Sequence, residues 1–108
     1  MSQTTRFNRY VNGNAAMVTI AETMQVKIRR CIRAAGGLGG LNPDEHDMPD
    51  TDDLKVNYKF SNKNYDSLFT RFNRLILIEN APKRVTIKEV NDCKTVADCV
   101  KLIKSKFD

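Results

Sequence analysis

Three stretches of this chain place apolar side chains at three- and four-residue intervals, and no two stretches alternate apolar and polar residues so that they could pair as strands. A helix turns once in about 3.6 residues, so that spacing gathers the apolar side chains on one face, which must be buried against another. The chain is therefore expected to fold as an all-α protein, a small three-to-four-helix bundle.

The first series, Met17, Ile20, Ala21, Met24, Ile28, Cys31, Ile32 and Ala35, predicts a helix from Ala15 to Ala35 that Gly36-Gly37 stops. Lys27, Arg29, Arg30 and Arg33 gather in its carboxy-terminal half, where the macrodipole favours cations, and read as a solvated helix end. Met17 and Met24 read as core filling. LKVNYKF alternates apolar and polar residues but has no partner strand. Leu54, Val56, Tyr58 and Phe60 are accordingly expected in a loop, some of them plugged into a helical core.

After the turn formers SNKN, Leu68, Phe72, Leu75 and Ile76, with Phe69 on the flank, define a second helix capped by Asp66 or Ser67 and ending before Pro82. Thr86 and Glu89 have the spacing of a capping box ahead of a short helix at 87–91. Thr95 and Asp98 form another, opening a final helix whose buried face is Val96, Cys99, Val100, Ile103 and Phe107.

Charge is unevenly spread. Residues 1–42 hold six basic residues and one acid, residues 43–66 three and seven, and residues 67–108 nine and five, for a net charge of +5. The bundle thus has a long, acidic first loop rich in turn formers. AAGGLGG within that connection reads as a flexible linker, because no Gly-Lys-Ser/Thr follows to make a phosphate loop. Residues 1–14 read as a flexible extension ahead of a domain at 15–108.

No apolar run of about eighteen residues offers a membrane span, and MSQTTRFNRYVNGN lacks the apolar stretch of a secretory signal, so a cytoplasmic chain is expected. Cys31, Cys93 and Cys99 form no CxxC, which argues for reduced thiols rather than disulfides or zinc. A catalytic triad, a Cys-His pair and a zinc site each need an imidazole, and the single histidine, His46, stands among turn formers and acids. No catalytic residue, no metal ligand and no enzymatic activity are expected.

The order of elements is informative: helix, long loop, a helix opened by Asp66-Ser67-Leu68, short helix, and a final helix opened by Thr95-Val96. It resembles the acyl carrier protein family, whose members carry a 4′-phosphopantetheine arm on the serine of an Asp-Ser-Leu motif at the start of their second helix. The steps from Ser67 to Val85 and on to Thr95, eighteen and ten residues, are similar to the family's spacing. The resemblance covers roughly Val18 to Phe107.

It implies an acyl-carrier-protein-like fold with Ser67 as the attachment point of 4′-phosphopantetheine and Asp66 and Leu68 as the flanking motif. Asp66 would belong to the surface read by a phosphopantetheinyl transferase using coenzyme A and Mg²⁺. The arm's thiol would hold acyl groups as thioesters and present them, from a monomeric carrier, to the synthase and acyl-transferring enzymes of a fatty-acid or polyketide-type pathway. A helix start suits such an arm, since free amides and the dipole favour a phosphate there.

Arg71, Arg74 and Ile78 follow Ser67 where the family usually presents acids, and Asn64-Tyr65 stand where a glycine is usual. A specialised carrier docking through Arg71, Arg74 and Ile78 is implied. Two other readings use the same residues: a carrier-like helical protein-interaction adaptor without cofactor, and a small basic nucleic-acid-binding module that adds Lys83, Arg84 and Lys88. The acidic loop, and the absence of grouped base-reading side chains on one helix, weigh against nucleic acid.

Overall fold

The computed structural model describes residues 23–37 and 48–108 of the chain. Among them are five helices and no strand: α1 (Met24–Ala35), α2 (Leu54–Tyr58), α3 (Asn62–Ile78), α4 (Ile87–Asn91) and α5 (Val96–Ser105). The fold is a small all-α bundle, as the spacing of apolar residues indicates.

α1 begins at Met24 rather than Ala15, because Thr23 is extended and its hydroxyl accepts from the Val26 amide at 3.3 Å, as a helix cap does. Met17, Ile20 and Ala21, expected on the same helix, lie outside the described residues, as do His46, the extension at 1–14 and the glycines of AAGGLGG beyond Gly37. At the other end Gly36 and Gly37 stop α1, Gly37 at φ +70°, a left-handed conformation that a glycine adopts without strain.

α1 and α3 run antiparallel and form the largest helix pair. Asn64 Nδ2, at the start of α3, donates to the Ala35 carbonyl at the end of α1 (2.9 Å). At the opposite end Lys27 Nζ meets Glu79 Oε2 at 2.8 Å. α5 packs against α1, and α4 bridges α3 and α5. Their fully buried meeting point is Ile28, Ile32, Leu54, Leu68, Phe72, Ile76, Val90, Val96, Cys99 and Ile103.

Three further sequence expectations need correction. Leu54–Tyr58 is a short helix and not a loop, because Asp53 Oδ1 caps it at the Lys55 and Val56 amides (2.8 and 2.9 Å) and Lys59 closes it at φ 59°. Leu54, Tyr58 and Phe60 do enter the core, whereas Val56 is 67% exposed. Asp66 and Ser67 cap nothing, because the second long helix starts earlier, at Asn62 behind Ser61. Phe107, placed on the buried face of the last helix, lies beyond its end and is exposed.

Arg29, read as a solvated cation, is only 9% exposed. Its guanidinium donates to the Met48 carbonyl (3.0 Å) and to Gln25 Oε1 (2.6 Å), and pairs with Asp50. One side chain thus ties α1 to the chain returning from the acidic loop. That returning segment then runs beside the start of α5. The Val96 and Ala97 amides, unpaired at a helix start, donate to the Asp52 and Asp50 carbonyls (3.0 and 2.9 Å), and the Leu54 amide donates to the Lys94 carbonyl (2.8 Å).

Both predicted capping boxes are present. Glu89 accepts from the Thr86 amide at 2.9 Å, and Asp98 accepts from the Lys94 and Thr95 amides at 2.9 and 3.1 Å. The link between α3 and α4 is held by one side chain in mid-helix. Asn73 accepts from the Val85 amide (2.9 Å) and donates to the Val85 carbonyl (3.2 Å), pairing both backbone groups at once.

Candidate functional site

Ser67 is the sixth residue of α3, in its second turn. Free amides and the concentrated positive end of a helix belong to the first turn, so the phosphate-attracting features expected around Ser67 do not surround it. The hydroxyl that stands at the helix start is that of Ser61, which is exposed and donates to Asn64 Oδ1 at 2.9 Å. Ser67 is half-buried instead, and its Oγ accepts from Arg71 Nε at 3.1 Å. Of its motif neighbours, Asp66 is exposed and Leu68 is fully buried core. Asp66, Ser67 and Leu68 therefore point three ways, as consecutive residues of a continuous helix must.

Arg71, Arg74 and Ile78 do come together, on the flank of the α1/α3 pair. They share a groove of about 360 Å³ with Lys27, Arg30, Cys31 and Ala34 of α1 and with Leu75 and Glu79. Helical spacing makes the two walls: 27, 30, 31 and 34 on α1 face 71, 74, 75 and 78 on α3. Ala34, Leu75, Cys31 and Ile78 supply apolar surface, and Ile78 is 65% exposed. Lys27 and Glu79 pair at one end, and the guanidinium groups of Arg30, Arg71 and Arg74 line the rest of the groove.

The field of those three groups is felt by Cys31. Burial pushes its thiol up to about 11, against the pull of Arg71, Arg30 and Arg74 in the other direction. Desolvation wins, so Cys31 stays a neutral thiol and weak hydrogen-bond donor, directed to the Arg71 carbonyl at 3.9 Å. A protonated thiol is a poor nucleophile.

A second hollow, of about 460 Å³, lies between α2 and the α4–α5 connection and includes Asp53, Lys55, Val56, Asp92 and Lys94. Its charges alternate in sign and give it no preference for an ion of either kind. Among the described residues no cluster of three or more His, Cys, Asp or Glu could hold a metal ion, and no helix is long and apolar enough to cross a membrane.

Sequence reasoning found one wall of the groove and missed the other. Lys27, Arg30, Cys31 and Ala34 repeat at the same helical interval as Arg71, Arg74, Leu75 and Ile78, and pairing the two helices antiparallel would have joined the sets. No family model, no curated protein and no solved structure matches this chain.

Proposed function

We propose that this chain is a cofactor-free helical binding module, an adaptor that presents the α1/α3 groove to a protein partner. The observation that carries this reading is the groove itself, where Arg30, Arg71 and Arg74 stand around an apolar floor on two rigid helices. Such a surface recognises by complementary charge and shape and needs no prosthetic group. Its setting is intracellular and cytoplasmic: Cys93 and Cys99 are buried free thiols, as expected of a chain kept in a reducing compartment.

The Ser67–Arg71 contact favours a second reading, an acyl carrier modified on Ser67. A phosphodiester on that oxygen would lie against a guanidinium, which pairs well with phosphate oxygens. In that case the arm is 4′-phosphopantetheine, and the partners are a phosphopantetheinyl transferase and the enzymes of a fatty-acid or polyketide-type pathway.

Intact mass separates the two. The full chain is incubated with coenzyme A, Mg²⁺ and a broad-specificity phosphopantetheinyl transferase, alongside Ser67→Ala and Ser61→Ala. The adaptor reading expects no mass gain in any of the three. A gain equal to one arm that disappears in Ser67→Ala replaces the adaptor with the carrier. Loss of the gain in Ser61→Ala instead would put the arm at the true helix start.

A further inference from the structure

We propose that the occupant of the α1/α3 groove is an acidic amphipathic helix of a partner protein, an inference that rests on the adaptor reading above. Two antiparallel helices whose facing residues repeat at 27, 30, 31, 34 and 71, 74, 75, 78 leave a seam with helical periodicity, into which the ridge of a third helix fits. The partner's apolar residues, at intervals of three and four, would cover Ala34, Leu75 and Ile78. Its Glu or Asp side chains, one turn apart, would meet Arg71 and Arg74, which are themselves separated by about one turn of α3.

Charge selects this occupant over the others within reach. The chain's own residues 1–22 carry Arg6 and Arg9 against Glu22 alone, the wrong sign for a basic groove. A second copy of the same face would bring guanidinium against guanidinium. The segment 38–47 is acidic through Asp44, Glu45 and Asp47, but Pro43 and Gly39-Gly40 deny it helical periodicity.

The test is a selection from a display library of random sixteen-residue peptides against the immobilised full chain, with Arg71→Glu/Arg74→Glu as the counter-target. Enriched peptides should carry Glu or Asp and Leu or Ile at helical intervals. In ¹H–¹⁵N spectra of the full chain they should shift amides of α1 and α3, and they should bind the reversed chain at least tenfold more weakly.

Peptides that map to the groove but lack acids or helical spacing would overturn the proposed partner and leave the adaptor reading standing. Enrichment of nothing, or of peptides that bind both chains alike, would overturn both. A rise in peptide affinity when Asp44, Glu45 and Asp47 are neutralised together would make the chain's own segment the occupant and also overturn the proposal.

Discussion

Arg71 donates from Nε to the hydroxyl of Ser67 one turn earlier on α3, at 3.1 Å, while lining the groove with Arg74. Neither arginine contributes to the buried core. Reversing both charges should therefore leave the fold intact: Arg71→Glu/Arg74→Glu is expected to shift stability by no more than about 0.5 kcal/mol per site, measured by thermal melts followed at a helical circular-dichroism wavelength.

Asn73 behaves differently, because both of its amide groups are committed to Val85. Asn73→Ala strands a backbone donor and acceptor beside a buried residue and is expected to destabilise by about 1–3 kcal/mol in urea unfolding. Hydrogen exchange at the Val85 amide should accelerate more than exchange within α5.

Lys59 ends α2 at φ 59° and ψ 36°, a region that a side chain with a Cβ occupies at a cost. Lys59→Gly is expected to raise stability by about 0.5–1 kcal/mol, visible as a higher urea midpoint with an unchanged slope. Asn80, at φ 61°, belongs to a residue type that tolerates this region, so Asn80→Gly should gain less.

Acid should weaken the fold through α4 and α5. The Lys106 ammonium beside Glu89 holds that carboxyl below its ordinary 4.5, and the Lys94 amide does the same for Asp98 below 3.8. Both groups bind protons less readily when folded, so their contribution is complete above those ordinary values and is lost as pH falls below them and through the lowered folded values. Melting temperature is expected to stay level from neutrality to about pH 5 and then to fall, less steeply in Asp98→Asn.

What the sequence showed well was whatever local chemistry decides. Thr86-x-x-Glu89 and Thr95-x-x-Asp98 marked two helix starts because a hydroxyl and a carboxylate at that spacing satisfy free amides wherever they occur. Ser61-x-x-Asn64 went unread because Asn replaces the usual acid and because its other partner, the Ala35 carbonyl, is 29 residues away in sequence. Moving that start back to Asn62 carried Ser67 from a helix cap into the second turn. Arg29 was misread for the same kind of reason, since its partners Met48 and Asp50 reach it only after the acidic loop closes. The groove depends on two helices meeting, which no local pattern reports.

Binding isotherms for one library-selected acidic peptide against the wild-type chain, Ser67→Ala and Arg71→Glu/Arg74→Glu test most directly whether the groove's charge, rather than the Ser67 hydroxyl, carries function. Wild type and Ser67→Ala should bind alike, to within about threefold, and the double reversal should lose at least about tenfold, or 1.4 kcal/mol. Equal binding by the double reversal, or loss of binding in Ser67→Ala alone, would contradict it.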